Sequence, residues 1–400
     1  MKAKKINKWN IFFLTILYLG FTITAIDKAY LPTNIKIMSQ GLLSIVSFIF
    51  FVVKYYGNYG LKIFFPKLTI NKIILLIWFL FSTQVVISST INGQVSLNSF
   101  IYLTVIPILF FLIIPVSLVD PIRELNYAIL LSNLLMLIYN FILTYQDINN
   151  VVAYEGIVAN PNSLGIIAMQ ACISSSFIIF EYLKENKKLI KLFIVLLSFG
   201  FSLYILVSTG SRTSIISLIV MEIIFFYDLF RFKNIKFYKI IPLIVLGAFF
   251  YFYLLDDVIY EFVIQKFINT SQVNLVSDRN VVWELVINNA EFFGHGEKYF
   301  LNVIGLEGHN IFIQTLGYYG IVAMILQIIF FILVLFSSLK YFSSNGKDLV
   351  AIYPFIFIIG FLVLGMGESI FGAFQKNPAM SLYNICGILI YNCNLTKNGR

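Results

Sequence analysis

The sequence predicts an all-α, polytopic membrane protein: about twelve transmembrane helices with one larger loop outside the bilayer. Three observations carry the prediction. Of 400 residues, 60% are hydrophobic and 12% charged. That is more apolar surface than a soluble core could hide, so lipid must serve as the solvent. The apolar stretches, such as Ile73 to Ile87 and Ile321 to Phe336, are continuous and do not alternate. Helices satisfy their own backbone in lipid over runs of that length, whereas barrel strands would show a period of two. Finally, the basic residues sort themselves by side.

The spans are expected near 9–26, 37–54, 73–91, 99–119, 125–145, 160–181, 190–208, 212–229, 240–256, 310–337, 349–366 and 379–394. The first follows Lys2, Lys4, Lys5 and Lys8 and reads as an uncleaved signal anchor, because no small-residue cleavage site stands out after it. The last two flank Gly367-Glu368 and Asn377-Pro378, where a re-entrant piece could form. With the N-terminus inside and one crossing per span, 21 of the 28 basic residues fall on the cytosolic side and 7 outside. This threading follows the positive-inside rule and puts both termini in the cytosol. The net charge of +9 then anchors the inner leaflet and does not indicate nucleic-acid binding. Cys172, Cys386 and Cys393 lie in or beside spans and are expected to be free thiols, without a disulfide framework.

One polar stretch, 257–308, interrupts this apolar chain and falls outside the membrane. Its start, Asp256 to Val263, has the pattern of an amphipathic surface helix. A second helix should begin at Ser277-Asp278, making Arg279 and Trp283 i, i+4 neighbours on one face. An arginine held by an aromatic can present its guanidinium to a diphosphate, although a solvated arginine beside an interfacial tryptophan fits equally well. His295, in the Gly294-His295-Gly296 turn, reads as a loop residue. Next, Gly308-His309-Asn310 opens the following span. A histidine at a helix start is disfavoured as imidazolium and can accept a proton. Gly317 and Gly320 allow a neighbouring helix to approach closely.

Two earlier helix starts face the same side. In Ser208-Thr209-Gly210-Ser211-Arg212-Thr213-Ser214, hydroxyls, a helix N-terminus and a guanidinium together could hold an anion. A capped helix with an interfacial arginine is the alternative. Asn160-Pro161-Asn162-Ser163 is ordinary helix-start chemistry, though Asn160 and Asn162 could also touch sugar hydroxyls. The histidine spacing fits no zinc signature, and no cofactor or metal is called for. Hydrolase triads, phosphate loops and dinucleotide fingerprints are absent from the sequence.

Taken in order, the Ser-Thr-Gly-Ser-Arg turn at 208–212, the Arg279-x-x-x-Trp283 pair leading to Gly294-x-Gly296, and His309-Asn310 followed by Gly317-x-x-Gly320 resemble the O-antigen ligase and O-antigen polymerase superfamily. The likeness covers roughly residues 155–370. It implies a membrane-embedded, metal-independent, inverting glycosyltransferase of GT-C-like type. Its donor would be a polyprenyl-diphosphate-linked oligosaccharide on the outer face of the bacterial cytoplasmic membrane. By that resemblance Arg212 and Arg279 would hold the diphosphate and His309 would assist the acceptor hydroxyl. Ser211, Trp283, Asn160, Asn162 and Asn310 would contribute to substrate binding, as would Glu368 in Gly365-Met366-Gly367-Glu368-Ser369. The family's long outer loop corresponds to 257–308, which is short here. The reading that follows is a polymerase joining repeat units into capsular or exopolysaccharide chains, working with a flippase and a chain-length regulator. A ligase using another acceptor, a flippase for the same lipid-linked sugars and a docking partner in an envelope assembly machine are the alternatives. Nearly charge-free spans, with Glu222 as the main exception, favour the enzyme over a transporter.

Overall fold

The computed structural model describes residues 6–62, 64–94, 97–150, 153–185, 189–231, 279–345, 349–372 and 377–392. Among them every regular element is helical and none is a strand. Seven helices are long and apolar enough to cross a membrane, so the chain is a multi-pass helical membrane protein. They are α2 (Thr33–Tyr59), α3 (Thr69–Ile91), α4 (Leu97–Ser117), α5 (Pro121–Thr144, continued by a turn to Ile148), α6 (Pro161–Glu185), α7 (Leu189–Ser208) and α10 (Ile311–Asn345). Each coincides with an expected span. The segments expected near 9–26 and 349–366 are shorter apolar helices, α1 (Lys8–Ile23) and α11 (Tyr353–Gly365). That near 212–229 is α8 (Arg212–Arg231), which carries Arg212, Glu222, Asp228 and Arg231 and is therefore less apolar; that near 379–394 is α12 (Asn377–Asn392). The span expected at 240–256, and the loop as far as Asp278, lie outside the described residues. Of the polar stretch expected outside the bilayer, α9 (Arg279–Asn288) and the segment to Gly308 are described.

The chain divides into two compact units, each assembled from three stretches of sequence. The first comprises Met1–Ser47, Arg123–Leu275 and Gly346–Ile356; the second comprises Phe48–Ile122, Val276–Asn345 and Phe357–Arg400.

The first unit is organised around α6, whose apolar window is 89% buried. Its small residues, Gly165, Ala168, Ala171 and Ser174 to Ser176, let α7 and α8 approach closely, as membrane bundles require where lipid is as apolar as leucine. The loop entering α6 is held by polar groups. Tyr154 donates its backbone N–H to Ser208 O (3.0 Å), and its hydroxyl meets Asn140 Nδ2 (2.9 Å) and Thr144 Oγ1 (2.8 Å). Burial pushes the Tyr154 phenol pKa up, against the smaller opposing pull of Thr144. Gly156 has φ 59°, and a Cβ there would lie 2.3 Å from Asn140 Oδ1. Glu124 is fully buried yet satisfied, accepting from Asn7 N (2.7 Å) and Asn10 Nδ2 (2.6 Å) and so fixing the start of α1 on α5.

The second unit packs α3 along α10, and α12 against α4. Trp78 is its centre: the indole donates to Tyr102 O (3.0 Å), and the rings of Phe81, Phe111, Phe330 and Tyr383 lie within 5.6 Å. Asn71, fully buried, donates to Leu389 O (3.1 Å) and Ile390 O (2.9 Å) and accepts from Ser337 Oγ (3.1 Å), tying three helices together.

α10 is broken near its start. Gly320 has φ 88° and ψ −179°, a conformation open only to glycine. The break leaves backbone groups without helical partners. An irregular loop, residues 291–296, answers them: His295 N donates to Gly317 O (2.9 Å), Gly296 N to Tyr318 O (2.9 Å), and Ile321 N to Glu291 O (3.0 Å). The opposite edge of that segment is stitched to α3. Gln84 donates to Phe292 O (3.5 Å), Ser88 to Phe293 O, and Asn92 to Gly294 O (3.2 Å). Those three polar residues are spaced by four and so share one face of α3. Gly320 thus admits a loop segment, where the sequence pattern suggested a helix. A Cβ at residue 320 would sit 2.3 Å from Phe292 O. Gly320→Ala is therefore expected to cost about 3 kcal/mol or more from strain plus clash, seen as a clear fall in Tm of the detergent-solubilised protein, whereas Gly41→Ala, where a Cβ meets nothing within 4 Å, should leave Tm nearly unchanged.

Candidate functional site

The site in the second unit is built by a small hydrophobic cluster. On α9, Val282 and Val286 are one turn apart and bury against Tyr299, Phe300 and Leu316, with Trp283 packed at the edge. Two glycines make room for Phe300: a Cβ at Gly317 would lie 2.7 Å from its ring, and one at Gly308 3.0 Å. With α9 pinned in this way, the Trp283 indole N–H donates to Gly308 O (2.7 Å).

That bond grips the peptide next to His309. With φ 45°, His309 is the one non-glycine residue of positive φ among the described residues. A left-handed backbone at a histidine is uncommon and strained by about 1–3 kcal/mol. It persists because both neighbours are held, Gly308 by Trp283 and Asn310 by two sets of bonds. The Asn310 Oδ1 caps α10, accepting from Phe312 N (2.8 Å) and Ile313 N (3.3 Å), while Nδ2 donates to Met366 O (3.2 Å). Gly365 packs on Ile311, where a Cβ would lie 2.8 Å from its Cδ1. The end of α11 is thereby fastened to the start of α10. Beyond it the chain leaves helical geometry, and residues 368–371 are buried, the condition under which irregular backbone is tolerated in a membrane protein.

Glu368 lies in that segment, facing an arginine and a histidine. Its Oε1 is 3.6 Å from Arg279 Nη2, and its Oε2 is 3.6 Å from His309 Nδ1. The carboxylate side chain is 10% exposed, the guanidinium 26% and the imidazole 36%. His309 Nδ1 is buried without a hydrogen-bond partner, so the open part of the ring lies away from Glu368. An arginine, a carboxylate and a histidine from three separated stretches of sequence thus converge. The group can hold an anion through Arg279 and exchange a proton through the exposed side of His309. His295 stands apart from them. Its ring stacks on Tyr299 (4.2 Å between centroids) and its Nε2 faces Asn289 O (2.8 Å). Burial, with a smaller contribution from Glu291, raises the Tyr299 pKa.

The remaining sequence-derived candidates lie in the first unit, gathered at one end by contact between Gly165 and the 208–212 turn. A Cβ at Gly165 would lie 2.6 Å from Ser211 Cβ. Arg212 opens α8 and is half-buried. Ser208, Thr209, Ser211 and Ser214 are fully buried, and their hydroxyls are spent locally. Ser208 donates to Tyr204 O (2.9 Å), Thr209 to Leu206 O (2.7 Å), and Ser211 to Ser214 Oγ (2.9 Å). The Asn160 Oδ1 caps α6, accepting from Ser163 N (2.8 Å), with Asn162 half-buried beyond it. These hydroxyls are therefore engaged with the end of α7 and with each other, leaving the Arg212 guanidinium as the turn's candidate anion group.

Two features escaped the sequence reading. One is the Gln84, Ser88, Asn92 stripe, whose four-residue spacing on an apolar helix was a visible signal. The other is the positive φ of His309, for which the preceding Gly308 was only a faint one. Among the described residues no group of three or more His, Cys, Asp or Glu side chains is arranged to hold a metal ion. No family model matches the chain, and no curated protein is significantly similar to it.

If Asn310 fastens α10 to the segment carrying Glu368, Asn310→Ala should destabilise the protein by about 1–2 kcal/mol, the worth of a lost cap. The expected readout is a lower Tm together with faster proteolysis around residue 366.

Proposed function

We propose that this protein is a membrane-embedded glycosyltransferase that joins polyprenyl-diphosphate-linked oligosaccharide units into polysaccharide on the outer face of the bacterial cytoplasmic membrane. One observation supports it above the rest: Arg279 and His309, from different elements, face the same carboxylate, and the histidine backbone is held in strain. Strain maintained at a histidine marks a side chain whose direction matters.

The chemistry asks for little else. The donor already carries its leaving group, so no nucleotide is required. The acceptor hydroxyl oxygen attacks the anomeric carbon from the face opposite the diphosphate. The new C–O bond forms as the bond to the diphosphate oxygen breaks, and the leaving diphosphate keeps the electron pair. The acceptor proton passes to His309 as general base. Arg279 stabilises the charge growing on the diphosphate. Lipid-linked substrates would reach such a site laterally from the bilayer, which suits an all-helical membrane protein.

The test is to supply lipid-linked repeat units to purified protein and resolve the products by length. A ladder of extended glycans is expected. His309→Ala and Arg279→Ala should each reduce the extension rate by about 100-fold or more, the usual worth of a general base or of a charge on a leaving group. A single transfer to a different acceptor would identify a ligase. Unchanged extension in both variants, or a defect confined to movement of lipid-linked sugar across the membrane, would overturn the transferase reading.

A further inference from the structure

We infer that Glu368 and Trp283 are positioning residues that fix the base: Glu368 commits the imidazole of His309 to one tautomer, and Trp283 latches its strained backbone. Sequence reasoning had assigned both to substrate, and the geometry argues otherwise. The Trp283 N–H is already used on Gly308 O (2.7 Å), and its ring packs at the edge of the cluster formed by Val282, Val286, Tyr299, Phe300 and Leu316. The Glu368 side chain is 10% exposed, less than half as open as either partner.

The tautomer follows from which atom faces what. In the neutral ring one nitrogen carries the proton and the other a lone pair. Nδ1 is buried without a hydrogen-bond partner, and Glu368 Oε2 lies 3.6 Å from it. A lone pair pointed at a carboxylate from a buried position would be repelled, whereas an N–H pointed there is attracted. The proton therefore resides on Nδ1, and Nε2 keeps the lone pair on the open side of the ring. The 3.6 Å separation is longer than a hydrogen bond, and such contacts commonly tighten only when substrate is bound. Arg279 holds the other oxygen of the same carboxylate at 3.6 Å, which restrains its rotation. The latch acts on the backbone: with Gly308 O released, the φ of 45° at His309 would lose one of the contacts that enforce it.

The kinetic half of the test rests on the proposed transferase activity; the spectroscopic half does not. The chain contains two histidines, so full-length protein with ¹⁵N-labelled histidine in lipid nanodiscs gives two ring spin systems, assigned with His295→Gln. At a pH where both rings are neutral, His309 is expected to carry its proton on Nδ1. In Glu368→Gln the Nε2–H form should rise to a majority, and in Trp283→Phe the His309 signals should broaden or split. The His295 signals serve as a folding control and should be unchanged in Glu368→Gln and keep a single sharp set in Trp283→Phe. A wild-type His309 protonated mainly on Nε2, or a His309 ring indifferent to both substitutions, overturns the inference. In kinetics, Glu368→Gln is expected to lower kcat about 100-fold and Trp283→Phe about tenfold, each with the donor KM within about twofold of wild type. A raised KM with kcat preserved would show that these residues touch substrate and would equally overturn it. Inactivity of the wild-type protein toward lipid-linked repeats would refute the transferase reading alone, since the tautomer remains measurable in a protein with no activity.

Discussion

The break at Gly320 is the constraint on which the second unit depends. A helix interrupted in a membrane protein leaves peptide groups without partners, and each costs about 1–3 kcal/mol if buried and unpaired. The Glu291–Gly296 segment supplies those partners from one edge and is itself satisfied by α3 from the other. Everything downstream inherits this arrangement. The segment leads to Tyr299 and Phe300, these rings pin α9, and α9 brings Trp283 to Gly308 and Arg279 to Glu368. A cluster of polar groups is therefore positioned by packing and backbone bonds, with little contribution from the charges.

The charges themselves are economical. One carboxylate serves two partners, a guanidinium and an imidazole, each oxygen turned to a different group. In a partly buried setting an isolated charge would be expensive, and the carboxylate lowers the cost of keeping the guanidinium beside the imidazole. Arg279 remains exposed enough to exchange that counter-ion for a more highly charged one. A diphosphate is such a competitor, which is why an arginine already paired to a carboxylate is compatible with the proposed role.

Much of this was legible beforehand. Span positions followed from runs of apolar residues, and the helix start at 160–163 from its Asn-Pro-Asn-Ser pattern, because those depend on local chemistry. The spacing of Arg279 and Trp283 correctly implied a shared helix, and Gly317 and Gly320 correctly implied close approach. What the pattern could not convey was the identity of the approaching element, since a ring and a loop segment need the same room as a helix. Nor could it show that the hydroxyls of Ser208, Thr209, Ser211 and Ser214 are buried and occupied, because a serine in a tight turn reads alike whether it bonds its neighbours or faces a ligand. Glu368 was noticed only for its polarity; its pairing with Arg279 and His309 joins residues from distant parts of the chain, which no local rule reaches.

The backbone at His309 sets selection for activity against selection for robustness. At φ 45° glycine would sit without penalty and asparagine with little, so drift unconstrained by chemistry would favour either. Neither can shuttle a proton. Under the proposed role, the changes that most easily relax this loop are the ones that silence it, and a hardier protein isolated by screening for heat resistance alone would tend to be an inert one.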